Sequence, residues 1–130
     1  MGGSIRPRRV AVTFDCPDAH ALAEFYAKLL GWRVHEDAAE PDWADVLPPE
    51  GEDHGFALAC QQVENYRMPQ WPDGDVPQQA HLDLYVDSIA EATELALAAG
   101  ASKHEVQPGS PNSFVVFTDP AGHPFCLCRA

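Results

Sequence analysis

The sequence predicts an α+β domain built from two copies of one βαβββ unit. Three observations carry this reading. A period-two strand followed at once by a capped amphipathic helix occurs twice, both helices end at a glycine, and three short strand candidates follow each helix. Aligning the copies places Ala11 on His81 and Gly31 on Gly100, a shift of about 70 positions, too long for a solenoid repeat. Such a pair predicts two half-sheets forming one open, cup-shaped mixed sheet with helices outside.

In the first copy, Val10 to Asp15 alternates, with Val10, Val12 and Phe14 on one face and Ala11, Thr13 and Asp15 on the other. Pro17-Asp18 stops the strand. Asp18 caps a helix whose Leu22, Phe25, Tyr26 and Leu29 fall at i, i+3, i+4 and i+7, and Gly31 stands at the left-handed C-terminal position. Trp32 to Asp37, Trp43 to Leu47 and Phe56 to Gln62 are the next strands. In the second copy His81 to Val86 alternates, with Leu82, Leu84 and Val86 opposite His81, Asp83 and Tyr85. Ser88-x-x-Glu91 has the form of a capping box, Ile89, Ala92, Leu95 and Ala99 can face a core, and Gly100 ends the helix. Ser102 to Val106, Ser113 to Thr118 and Pro124 to Arg129 complete the copy. The chain thus divides into a flexible tail at 1–9, a first module at 10–62, a Pro-interrupted linker at 63–79 and a second module at 80–129.

The composition narrows the function. With 130 residues the chain has room for one domain, and 45% hydrophobic with 22% charged residues supports a core without staples. Eight Lys and Arg against 20 Asp and Glu give a charge of −12, which repels a phosphate backbone, so no nucleic-acid partner is expected. No apolar run approaches the roughly 18–20 residues that cross a bilayer. No export signal is evident, and a cytoplasmic location is expected with Cys16, Cys60, Cys126 and Cys128 as thiols. Cys126-x-Cys128 has neither thioredoxin-type nor zinc-knuckle spacing.

Several residues together resemble one family. They are Asp18 before the Phe25-Tyr26 helix, Leu30-Gly31-Trp32, His81-Leu82-Asp83-Leu84-x-Val86-Asp87 and Thr118-Asp119-Pro120-Ala121-Gly122-His123-Pro124. On them the chain, from Val10 to Arg129, resembles the vicinal oxygen chelate superfamily of glyoxalases, bleomycin resistance proteins and extradiol dioxygenases. The ending Phe125-Cys126-Leu127-Cys128 looks most like a glyoxalase-like branch. The resemblance implies a cup that, in metal-using members, holds a divalent ion. Its ligands there are a His or Gln on the first strand, a His on the first strand of the second half and a Glu on the last strand. The glyoxalase I type adds a further Glu. Here His81 matches the second position, the first falls on Ala11, the last on Cys126, and the extra acid on Leu58 or Ala59. His81 is the only retained metal-ligand position. His81 with Cys126 makes two donors where catalytic zinc usually has three, so no cofactor is expected.

The candidate ligand-binding residues are His81, Asp83, Tyr85, Trp43, Gln61, Cys126 and Cys128. An imidazole, a carboxylate and a phenol on one strand face can form an inert hydrogen-bonded network or contact a ligand, and we take the second reading. The thiols of Cys126 and Cys128 should line the cup as small packed groups, since only Arg129 supplies a nearby positive charge. Between Glu36 and Asp53 stand eight acidic residues and no Lys or Arg, with Trp43 among them. As a cup rim this segment would attract a cation over an indole, which resembles the drug-sequestering members; as plain surface it would do nothing. Trp71 in the linker can close the same pocket or serve core packing. The other histidines show no metal spacing and read as surface or turn residues.

Three functions follow. The first is metal-independent binding of a small aromatic or cationic molecule in the cup of a homodimer. The second is a metal-dependent lyase, isomerase or dioxygenase with a non-standard site around His81. The third is a protein–protein module that keeps only the fold.

Overall fold

The computed structural model describes residues 3–52 and 54–130. The element order is β1 (Val10–Cys16), α1 (Ala19–Leu30), β2 (Arg33–His35), β3 (Trp43–Leu47), β4 (Phe56–Gln62), β5 (Leu82–Val86), α2 (Ile89–Ala99), β6 (Ser102–Lys103), β7 (Phe114–Thr118) and β8 (Pro124–Arg129). These form two compact units, Met1–Glu64 and Asn65–Ala130, each a βαβββ module with one four-stranded mixed sheet. Residues 3–9 carry no helix or strand. Among the described residues no helix is long and apolar enough to cross a membrane.

The first sheet runs β1-β4-β3-β2, with β1 and β4 parallel and the other pairs antiparallel. Asp18 accepts the Ala21 N–H at 3.0 Å to open α1, and Gly31, at φ 69°, closes it in the left-handed region a Cβ disfavours. Phe14 stacks on Tyr26 with ring centroids 5.6 Å apart, so the Val12, Phe14 and Cys16 side of β1 faces α1. Leu58 and Cys60 pair with Val12 and Phe14 and share that face. The opposite, uncovered face carries Ala11, Thr13, Asp15, Ala59, Gln61, Trp43 and Asp45 by register.

The second sheet repeats the order as β5-β8-β7-β6. Ser88 accepts the Glu91 N–H at 3.1 Å, and Gly100 takes φ 117°. Phe117 stacks on Phe125 at 5.6 Å, both fully buried. This module buries less than its twin. Leu82, Leu84 and Val86 are half-buried, and Ala96 is the one buried residue of α2. Leu95, expected to face the core, is 66% exposed, because α2 packs through Ala96 and its half-buried neighbours and leaves the Leu95 flank in solvent.

Two further expectations change. The strand expected over Ser102 to Val106 stops at Lys103. The Gln107 side chain then acts as a strand neighbour, accepting the Val116 N–H at 2.9 Å and donating to Val116 O at 2.8 Å. The segment expected as a linker at 63–79 is, from Asn65 onward, part of the second unit. There Tyr66 donates to Ala121 O at 2.8 Å, and its hydroxyl lies 3.2 Å from His123 Nε2. His123 is accordingly a packed partner rather than an idle turn residue.

Burial of Phe125 predicts that Phe125→Ala costs about 3–5 kcal/mol by urea denaturation. Leu95→Ala, at an exposed helical site, should change stability by less than about 0.5 kcal/mol. Similar costs for the two would mean that the core is not where the aromatic stack sits.

Candidate functional site

The uncovered face of the second sheet is set by the pairing of β5 with β8. Asp83 stands opposite Cys126 and Tyr85 opposite Cys128, while Leu82 and Leu84 stand opposite Phe125 and Leu127. Because side chains alternate along a strand, one register puts the polar residues on one face and the apolar ones toward the buried aromatic stack. β7 adds Phe114 opposite Cys128 and Val116 opposite Cys126.

On this face lies a cavity of about 340 Å³ lined by His81, Asp83, Tyr85, Ser113, Phe114, Cys126, Cys128 and Arg129. Five of the expected site residues therefore meet in one place. His81 Nε2 lies 3.2 Å from Asp83 Oδ1. Tyr85 is 69% exposed, so its ring is a wall of the mouth rather than part of a packed core. Ser113, Phe114 and Arg129 also line the cavity and were not expected there. Phe114 was within reach of the sequence, since counting outward from the Asp119–His123 turn pairs it with Cys128.

Trp43 and Gln61 belong to the first unit, where they are Cα partners on the uncovered face of its sheet. The indole N–H of Trp43 donates to Asp45 Oδ1 at 2.9 Å. Of the other acidic residues, Glu36 holds His20 by a 2.5 Å hydrogen bond and pushes that imidazole's pKa above its usual value. Asp42 accepts from Gln62 Nε2 at 3.4 Å. Asp53 lies outside the described residues. Trp71 sits in the second unit, its ring 5.1 Å from that of His104.

The resemblance carries the extra acidic position onto Leu58 or Ala59. Leu58 lies on the α1 face, whereas Ala59 shares the uncovered face with Ala11. Both positions thus offer methyl groups, and a hard divalent ion finds no oxygen donor at either. The second unit differs. Among the described residues, His81, Asp83 and Cys126 place one ligand atom each within 4.8 Å of one another. Asp83 therefore adds a third donor to the two that the family positions supply.

The thiols are not poised as nucleophiles. Burial, and then the Asp83 carboxylate, push the Cys126 thiol up to about 12, and the same two causes raise Cys128. Both stay protonated at neutral pH. Iodoacetamide labelling followed by mass spectrometry should therefore find both slow at pH 7.5, accelerating as pH rises past 9. Asp83→Asn removes a negative charge, lowers both thiol pKa values and should speed labelling at fixed pH. Rapid labelling of the wild-type Cys126 at neutral pH would contradict this assignment.

Known proteins share this architecture. The family model described as a glyoxalase-like domain matches residues 11–128. No curated protein sequence matches the chain. Among solved structures, a glyoxalase/bleomycin resistance protein/dioxygenase family enzyme from Burkholderia phytofirmans is 15% identical, with TM-score 0.65 over 95% of this chain and 98% of that one. A glyoxalase-related enzyme from Fulvimarina pelagi is 21% identical, with TM-score 0.65 over 93% and 86%. The fosfomycin resistance protein FosX from Mesorhizobium loti is 14% identical, with TM-score 0.65 over 100% and 94%. At these identities the structures speak for the fold, and the family match, spanning nearly the whole doubled βαβββ chain, shows that it belongs to the glyoxalase-like domain family of the vicinal oxygen chelate superfamily.

Proposed function

We propose that this chain binds a small aromatic molecule in the cavity on the uncovered face of its second sheet, without a metal of the family's usual kind. The observation that supports this is the lining. Tyr85 and Phe114 offer ring surfaces, and His81, Asp83, Ser113 and Arg129 supply the few polar groups that orient a ligand. A volume of about 340 Å³ suits a ligand of one or two rings. Trp43 and Gln61 remain candidate contacts on the first unit, where an indole beside Asp45 suits a cationic ring. We further propose a homodimer in the cytoplasm, as expected from the resemblance and the composition.

One observation favours a second reading, a metal-dependent enzyme of the superfamily. His81, Asp83 and Cys126 are three donors of the number and type that a catalytic zinc ion uses. A zinc ion held there would polarise a carbonyl or activate a water, and Arg129 and Ser113 would orient the substrate.

Two measurements decide. Elemental analysis after dialysis should find the purified protein without stoichiometric metal, while about one zinc per chain would establish the second reading. Titration of the metal-free protein with a panel of aromatic compounds, followed by NMR, should give binders whose affinity falls roughly 2- to 12-fold in Tyr85→Ala or Phe114→Ala, the equivalent of about 0.5–1.5 kcal/mol. Binding unchanged in both variants would remove this cavity from the site.

A further inference from the structure

The second unit has another cavity, of about 450 Å³, between the segment from Asn65 onward and the β6–β7 end of the sheet. It is larger than the one around His81 and shares no lining residue with it. Its wall is built rather than slack. Tyr66 is tied to Ala121, Gln70 bonds Val76 through both its backbone N–H, at 2.6 Å, and its side-chain carbonyl, at 3.1 Å, and Met68 packs so close to Gly122 that a Cβ there would overlap its side chain.

The chemistry of the wall has one sign. Trp71 supplies an indole, and Met68, Pro69, Pro120 and Pro124 add apolar surface. The charged lining residues are Asp73 and Asp119, and no Lys or Arg lines the cavity. Asp119 is buried and its Oδ1 already accepts two backbone N–H groups of the turn. Asp73 is exposed and makes no ion pair or hydrogen bond among the described residues. His104 accepts the Val106 N–H on Nδ1 at 2.9 Å and makes no ion pair with Asp73 among the described residues.

From this arrangement we infer that the Trp71–Asp73 cavity is a binding site for a small organic cation, an ammonium or guanidinium group on an aromatic or aliphatic body. The indole face and the free carboxylate attract the positive centre, and the thioether and prolines cover its hydrocarbon. The inference concerns a different cavity from that of the proposed function and stands apart from it.

The probe is benzyltrimethylammonium, with benzenesulfonate and benzyl alcohol as anionic and neutral counterparts, titrated by calorimetry. The cation should bind tightest. Trp71→Leu should weaken it roughly 2- to 30-fold, and Asp73→Asn should weaken it and flatten its salt dependence. Asp73→Lys should turn the preference toward benzenesulfonate, and because Asp73 is exposed these two variants keep the test available if Trp71→Leu fails to fold. Leu95→Ala, on the exposed flank of α2 and in the lining of neither cavity, should leave binding unchanged. Equal affinity for the neutral compound, no binding of the cation, indifference to the Asp73 variants, or loss of binding in Leu95→Ala would each overturn the assignment.

Discussion

The parallel pairing of β5 with β8 is the constraint on which the second module depends. Setting Asp83 opposite Cys126 fixes every other side chain of both strands, because the period of a strand is two. A slip of one residue would turn Leu82 and Leu84 outward and carry His81, Asp83 and Tyr85 into the layer where Phe117 stacks on Phe125. Burying an unpaired carboxylate in that layer would cost far more than any alternative register could recover. The same pairing makes the site, since His81, Asp83, Cys126 and Cys128 converge only in this register.

The two modules share a topology but not a distribution of apolar surface. α1 buries Ala19, Leu22, Ala23, Phe25 and Tyr26, whereas α2 buries only Ala96. Small residues on α2 remove little surface from water, so the second module draws on other packing. Part of it comes from the segment after Glu64, which Tyr66 pins to the Asp119–His123 turn. The same segment supplies Trp71 to a cavity wall, so packing and potential binding surface are one structure here.

Chemistry has shifted within the family frame. By the resemblance, Ala11 and Leu58 or Ala59 fall where metal-using members carry oxygen or imidazole donors, and Cys126, a thiol that stays protonated beside Asp83, falls where they carry a carboxylate. A hard ion loses most of its coordination by these replacements. What is left is a cavity with an aromatic wall, an imidazole–carboxylate pair and one guanidinium, a lining that supports the proposal of an organic ligand.

By itself the sequence determined the doubled βαβββ order, both helix caps, the strands Trp43–Leu47, Phe56–Gln62 and Pro124–Arg129, and which face of β5 carries His81, Asp83 and Tyr85. These rest on local periodicity and on capping chemistry, which act within a few residues. Register across strands and the packing of loops were decided by tertiary structure, because they depend on groups far apart in the chain. Such contacts brought Asp83 to Cys126, chose Ala59 over Leu58 for the uncovered face, ended β6 at Lys103 through the Gln107 amide, left Leu95 in solvent and drew residues from Asn65 onward into the second unit. Alternation tells which side chains share a face, but only the pairing of strands tells which of them touch.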